Sequence, residues 1–357
     1  MSTDLDKALD SRLALAVVGP ASAGKDAAIR ALFGVDFGEI DPVPGSTETL
    51  RLAQLDGEGR FVVVNTPGFQ DVRAEVDSVA RQVLDRLDLA LFIVNAEGGA
   101  TKAILNDLQS VQTRNAGGLP TLVCLNKIDL IRPFQRDDFV TRTIAQLGLS
   151  ADQVVATSFD PHPALGIEPI GLEEVVSWID DVLVEKGSSL LFARHLQNKR
   201  LACQPLIKKA ARKAALAGAV PIPGADITAV TFIQVQLVEA ITQVHNKKLD
   251  KDVILWMVGE LLAGSSKGFI KKGVAILKTA GWIPGAQVAQ VATAALAGAV
   301  AAGATYGIGE AAIRYIQSDQ KLPIGELKQI FDQVASAKAP QIGSSTSNAA
   351  PSSGSTK

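Results

Sequence analysis

The apolar run Leu13-Ala14-Leu15-Ala16-Val17-Val18 passes directly into Gly19-Pro20-Ala21-Ser22-Ala23-Gly24-Lys25-Asp26. Ala27-Ala28-Ile29-Arg30-Ala31-Leu32-Phe33 follows, with the composition of a helix. A strand, a glycine-bracketed loop, a lysine and a helix in that order dictate a tight turn whose backbone N–H groups converge. Gly19 and Gly24 let the chain wrap. The amides through Ser22, Ala23, Lys25, Asp26 and Ala27, with the positive end of the helix, form a cradle for phosphate oxygens. Lys25 is placed to reach the terminal phosphates. The eighth position of such a loop ordinarily carries a Ser or Thr hydroxyl as a Mg²⁺ ligand, and here it is Asp26.

From Leu13 onward, apolar runs of strand length alternate with helical patterns. Strands are expected at 13–18, 50–55, 60–64, 88–94, 121–126 and 153–156, and helices at 25–33, 73–87, 101–114, 134–147 and 171–185. The central runs, Leu89-Ala90-Leu91-Phe92-Ile93-Val94 and Thr121-Leu122-Val123-Cys124-Leu125, do not alternate with polar residues. That is the signature of parallel strands covered on both faces. Asp56-Gly57-Glu58-Gly59 reads as a hairpin turn, which adds one antiparallel edge strand. The expected class is α/β: a doubly wound, mostly parallel six-stranded sheet over 12–186, after a short lead at 1–11.

Near 186–190 the strand patterns stop, and 190–330 reads as an all-helical domain. Lys208-Lys209 with Ile222-Pro223-Gly224-Ala225, and Lys271-Lys272 with Ile283-Pro284-Gly285-Ala286, mark two similar helical hairpins. Pro-Gly at each bend breaks the helix. A Ser/Ala/Gly-rich stretch at 336–357 is expected to be disordered. Charge divides the same way: 1–189 carries 16 Lys+Arg against 28 Asp+Glu, and 190–330 carries 17 against 8. Two cysteines, Cys124 and Cys203, match no metal spacing and fit a reducing compartment. The first ten residues are polar and acidic, so no signal peptide is expected.

Asn126-Lys127-Ile128-Asp129 follows a buried strand, 101 residues after Lys25. A carboxylate at Asp129 can accept from the N1–H and exocyclic amine of guanine, which adenine cannot satisfy. Lys127 would lie along the base plane and Asn126 would tie this loop to the phosphate loop. Asn65-Thr66-Pro67-Gly68 follows Phe61-Val62-Val63-Val64. Its first position usually holds an Asp that supports the Mg²⁺ shell, and here it is Asn65. The Gly68 N–H would sense a γ-phosphate. Phe69 stands where many such proteins orient water with Gln, and Gln70 lies one position further. Thr47, in Val43-Pro44-Gly45-Ser46-Thr47-Glu48-Thr49, is the candidate to complete the metal shell. Thr157-Ser158 is the candidate support for the guanine O6. Lys25, Thr47, Gly68 and Gln70 are the catalytic candidates, and Asp26, Thr47 and Asn65 the metal candidates.

Over about 12–186 these residues resemble the translation-factor-related GTPases, the Era and TrmE-like group. The resemblance implies GTP and GDP binding with Mg²⁺, and a hydrophobic residue, Phe69, in place of the catalytic Gln. Asp26 and Asn65 are departures from that pattern. One explanation is that a carboxylate has moved from strand end to loop and ligates Mg²⁺ there. The other is that Asp26 repels the β-phosphate and leaves a protein that hydrolyses poorly.

Residues 205–318 resemble a domain of unknown function fused to such GTPases and shared with YcjF-like inner-membrane proteins. The resemblance rests on Ala219-Val220-Pro221-Ile222-Pro223-Gly224-Ala225-Asp226, Ile283-Pro284-Gly285-Ala286 and Ala304-Thr305-Tyr306-Gly307-Ile308-Gly309. Residues 285–309 are long enough to span a bilayer. Their small residues, Ala295, Ala299, Gly303 and Gly307, equally suit a helix seam within a bundle. Lys208, Lys209, Arg212, Lys213, Lys271 and Lys272 suit anionic headgroups. The expectation is a slow regulatory GTPase in the cytoplasm or peripheral on the inner membrane face, with self-association as a further partner mode. The alternatives are a non-hydrolysing GTP-dependent scaffold and an RNA or ribosome assembly factor. Nucleic acid is disfavoured because the basic segments carry no interleaved aromatics.

Overall fold

The computed structural model describes residues 13–36, 51–55, 60–66, 86–98, 101–113, 118–219, 225–265 and 286–338. The lead, the 56–59 turn, residues 73–85 of the expected 73–87 helix, both Pro-Gly bends, Lys271-Lys272 and residues 339–357 lie outside them. The chain divides into two compact units that meet in sequence between Pro205 and Leu206.

The first unit is built on β1 (Leu13–Val18), β2 (Arg51–Gln54), β3 (Phe61–Thr66), β4 (Leu89–Asn95), β5 (Thr121–Asn126) and β6 (Val154–Ala156), in the spatial order β2-β3-β1-β4-β5-β6. All pairs are parallel except β2 with β3. The strands in the middle carry the continuous apolar runs because both of their faces are covered. Every residue of β5 is buried, as is every residue of β4 except Asn95. β1 lies between β3 and β4, so the winding direction reverses there. The carboxyl ends of the parallel strands open along one edge, where sheets of this kind form their ligand crevice.

The helices are α1 (Lys25–Phe33), α2 (Lys102–Gln112), α3 (Arg136–Leu147), α4 (Leu172–Lys186) and α5 (Ser189–His195). In α2, Ile104, Leu108 and Val111 make the stripe that enters the core beside Phe92, Val94 and Val123. The Thr101 hydroxyl caps that helix by accepting from the Ile104 N–H at 3.3 Å. Phe33 of α1, Phe61 of β3 and Phe192 of α5 meet edge to face, with centroids 5.4 to 6.4 Å apart. Partly buried Asp88 accepts from the Ala14 N–H at 2.9 Å and pairs with Lys186 of α4 at 3.0 Å. Cys124 is fully buried in β5, and that burial pushes its thiol pKa far above the ordinary range.

Helix α6 (Lys199–Gly218) carries the chain past Pro205. The second unit contains α7 (Ala225–Val244), α8 (Lys251–Ser265), α9 (Ala286–Gln317) and α10 (Ile324–Lys338). The last helix runs two residues past 336, where the tail was expected to begin. The long helix α9 packs on α10 and α7. Its small residues let backbones approach: a methyl at Gly307 would lie 2.8 Å from the Phe331 carbonyl oxygen, and one at Gly298 would lie 2.6 Å from that of Ala215. Gln234 is buried, donates to the Thr305 hydroxyl at 3.3 Å, and leaves its own Oε1 without a partner among the described residues. No helix of the described residues is long and apolar enough to cross a membrane.

Candidate functional site

The loop from Gly19 to Gly24 joins the end of β1 to α1, which begins at Lys25. Gly19 has φ +146°, and a methyl there would meet the Ile93 carbonyl oxygen at 2.1 Å; Gly24 has φ +98°, and a methyl there would meet Asn126 Nδ2 at 2.2 Å. Both positions therefore exclude a side chain by conformation and by space. Ser22 is left-handed as well, with φ 60°. The loop hydrogen-bonds across itself, Ala23 N–H to the Pro20 oxygen at 3.3 Å, and into the helix, Ala28 N–H to the Gly24 oxygen at 2.9 Å.

The Lys25 ammonium lies over this turn and donates to the Gly19 and Pro20 carbonyl oxygens at 2.9 and 2.8 Å. Burial lowers its pKa below the ordinary 10.5, and the neighbouring Asp26 carboxylate opposes part of that shift. Asp26 Oδ1 accepts a hydrogen bond from Asn65 Nδ2 at 2.6 Å. The two residues that depart from the expected pattern are thus partners. They meet because β3 lies parallel to β1, with Asn65 beside Val17 and Thr66 beside Val18, which puts the end of β3 next to the loop.

On the other side of the loop, Asn126 sits at the end of β5, 2% exposed. Its Nδ2 donates to the Ala23 carbonyl at 2.9 Å and its Oδ1 accepts from the Phe159 N–H at 3.1 Å. One amide therefore links the phosphate-type loop to the segment after β6. Lys127 turns the chain with φ 64°. Asp129 Oδ1 accepts from the Ser158 hydroxyl at 2.5 Å, and Oδ2 from the His162 N–H at 3.4 Å. Arg136 clamps the same segment, donating to the Asp129 and Ile131 carbonyls at 3.3 and 2.9 Å.

Thr157 and Ser158, in the segment expected to support the guanine O6, have their own N–H groups engaged within the fold. The Thr157 N–H is spent on the Leu125 oxygen at 2.8 Å, and the Ser158 N–H on Ile170 at 3.1 Å. What Ser158 contributes is its hydroxyl, which holds Asp129. The Thr157 hydroxyl is buried without a partner among the described residues.

Ser22, Ala23, Gly24, Lys25, Asp26 and Ala27 form one continuous turn. Asn65 and Asn126 flank it, and Asp129 and Ser158 lie beyond Asn126. Thr47, Gly68, Phe69 and Gln70 lie outside the described residues. Sequence reasoning missed Arg136, Phe159 and Gly171. A methyl at Gly171, with φ +78°, would lie 2.3 Å from the Ala156 carbonyl oxygen. The one available signal was a lone glycine just before the acidic start of α4, Leu172-Glu173-Glu174.

Among the described residues no three His, Cys, Asp or Glu side chains gather to hold a metal. Asp26 is a carboxylate on the loop helix, and its hard oxygen suits Mg²⁺ only if phosphate oxygens complete the shell.

Residues 14–127 match the family described as 50S ribosome-binding GTPase, and residues 186–340 match a domain of unknown function, DUF697. The chain is 28% identical over 172 residues to the tRNA modification GTPase MnmE of Synechocystis sp., covering 43% of this chain and 37% of that protein. It is 30% identical over 187 residues to the GTPase Der of Salinispora tropica, covering 51% of this chain and 37% of that one. It thus spans little more than a third of the length of these relatives. The solved structure of Era from Aquifex aeolicus is 20% identical, covers 56% of this chain and 67% of its own, and superposes with a TM-score of 0.32, too low to bear on function.

Proposed function

We propose that this chain, in which a GTPase domain is joined to a DUF697 helical domain, binds GTP and GDP and transmits the nucleotide state to its helical part. The observation that carries the reading is the pair of hydrogen bonds at Asn126, donated to the Ala23 carbonyl and accepted from the Phe159 N–H. It couples a loop with the chemistry to hold phosphate to a segment with the chemistry to read guanine.

The amides of 19–27 and the Lys25 ammonium take the polyphosphate. Lys25 leaves the Gly19 and Pro20 carbonyls to do so. Asp129 accepts from guanine N1–H and the exocyclic amine, with Ser158 holding the carboxylate in place. Mg²⁺, when bound, neutralises phosphate charge and orients the terminal phosphate; Asp26, Asn65 and Thr47 are the side chains that would hold it. In hydrolysis, Lys25 and the loop amides stabilise the charge that develops on the transferred phosphoryl oxygens. Phe69 cannot orient water, and Gln70 is one position out of place, so turnover is slow until a partner or a second copy supplies the missing group. The Gly68 N–H and the Thr47 hydroxyl order on the γ-phosphate and relax after its loss. The helical residues 190–330 receive that change, in the cytoplasm or against the anionic inner face of the membrane, where Lys208, Lys209, Arg212 and Lys213 meet headgroups.

Calorimetric titration with GTP, GDP and ATP tests the binding. Phosphate release in a single turnover separates the slow GTPase from the non-hydrolysing scaffold, a reading favoured by the carboxylate at 26 where a hydroxyl is usual. Ribosome or tRNA binding, which the names of the matched family and relatives carry, would require salt-dependent retention of RNA by residues 190–330.

A further inference from the structure

The Asp26–Asn65 hydrogen bond has a definite polarity: an amide donates and a carboxylate accepts, over 2.6 Å between residues 39 apart in sequence. Asn65 is 8% exposed, and the pairing of β3 with β1 fixes its place. Asp26 is the second residue of α1. Its Oδ2 has no hydrogen-bond or ion-pair partner among the described residues. The Lys25 ammonium beside it is turned onto the Gly19 and Pro20 carbonyls. Among the described residues, one oxygen of the carboxylate is therefore tied down and the other has no partner.

We infer that Asp26 and Asn65 are an exchanged metal pair. The carboxylate that meets the divalent cation projects from the loop helix as a direct ligand, and Asn65 is the positioning residue that turns it. This deepens the guanine-nucleotide reading and rests on it. An Asp at 65 would set two carboxylates at hydrogen-bond distance. The amide instead keeps a single negative charge there and supplies the donor that a carboxylate at 26 accepts.

The pair has an energetic consequence. No cluster of three or more acidic, His or Cys side chains among the described residues can hold the cation without phosphate oxygens. Conversely, without the cation the Asp26 carboxylate faces the polyphosphate. Like charges about 4 Å apart at an effective dielectric of about 20 weaken binding by roughly a thousandfold. Cation and nucleotide therefore bind as one unit. A neutral hydroxyl at 26 would not add that repulsion.

The test is titration of the full chain with GDP in excess Mg²⁺ and in EDTA, with Mn²⁺ affinity of the GDP complex read by electron paramagnetic resonance. The expected result is a loss of GDP affinity in EDTA of about a hundredfold or more. Asp26→Ser is expected to bind GDP more tightly than the wild type in EDTA, so that the gap between buffers narrows. Asn65→Ala, which removes the donor that turns the carboxylate, weakens Mn²⁺ binding in the wild-type background and has no further effect in Asp26→Ser, a non-additive cycle. Wild-type affinities within about threefold in the two buffers, or single effects that simply multiply in the double variant, would overturn the inference. The wild-type comparison requires no variant to fold. Absence of GDP binding in both buffers would instead overturn the guanine-nucleotide reading, and the inference with it.

Discussion

Asn126 is held to Ala23 across 103 residues of sequence: its Nδ2 donates to the Ala23 carbonyl at 2.9 Å. The same amide accepts from Phe159, so three segments of the edge share one buried side chain. Asn126→Ala leaves a carbonyl and an N–H unpaired in the interior, at about 1–3 kcal/mol each. Chemical denaturation of the full chain is expected to show the first unit destabilised by about 3 kcal/mol, with GDP affinity falling in parallel. An unchanged unfolding midpoint would mean that the bridge carries no energy.

Gly24→Ala is expected to abolish GDP binding, because the methyl would meet Asn126 Nδ2 at 2.2 Å in a backbone with φ +98°. Gly148 serves as the control. It also has positive φ, +65°, at the end of α3, but nothing lies within 4 Å of a methyl built there. Gly148→Ala should cost about 1 kcal/mol of stability and leave GDP affinity unchanged. Equal loss of binding in both variants would contradict a local steric cause.

Asp129→Asn replaces an acceptor with a donor facing guanine N1–H and frees the Ser158 hydroxyl. The preference for GDP over ADP, measured by competition, should fall by roughly a hundredfold or more. Retained preference in this variant would move base reading elsewhere.

The pKa of Lys25 is lowered, chiefly by burial. Its charged form is therefore disfavoured in the fold, and the unfolded chain binds more protons between the lowered value and the ordinary 10.5. Stability attributable to this group rises with pH through that window. A bound polyphosphate reverses the preference, so GDP binding within that same window should take up protons. Calorimetry in two buffers of different ionisation enthalpy reads that uptake, and Lys25→Met should remove it. No buffer dependence in the wild type would place Lys25 away from the phosphates.

In the helical unit, Gly307→Ala drives a methyl to 2.8 Å from the Phe331 carbonyl oxygen. Separation of α9 from α10 should destabilise that unit by about 1–3 kcal/mol, seen as earlier proteolytic cleavage within 206–338 with GDP affinity unaffected. Resistance equal to wild type would show that the seam is loose.

The sheet was legible because burial on both faces leaves no room for polar alternation: the runs at 89–94 and 121–125 could hardly be anything but central parallel strands. The loop was legible because glycine spacing and a lysine carry its geometry locally. The Asp26–Asn65 bond was not, since nothing in either local sequence names a partner 39 residues away; the register of β3 on β1 creates it. The partners of Thr157 and Ser158 were hidden for the same reason. Their N–H groups are committed by Leu125 and Ile170, which only the folded chain brings near. Phe192 reads as one more helical apolar residue, yet it stacks against Phe33 and Phe61, which only the folded chain brings near.

The central claim is that one edge of the sheet grips a polyphosphate through the 19–27 loop while Asp129 tests the base. Calorimetric titration of the purified full chain with GDP and with ADP, both in Mg²⁺, addresses it most directly. The account predicts saturable GDP binding and ADP binding weaker by roughly a hundredfold or more. Failure to bind GDP, or equal affinity for the two, would contradict it.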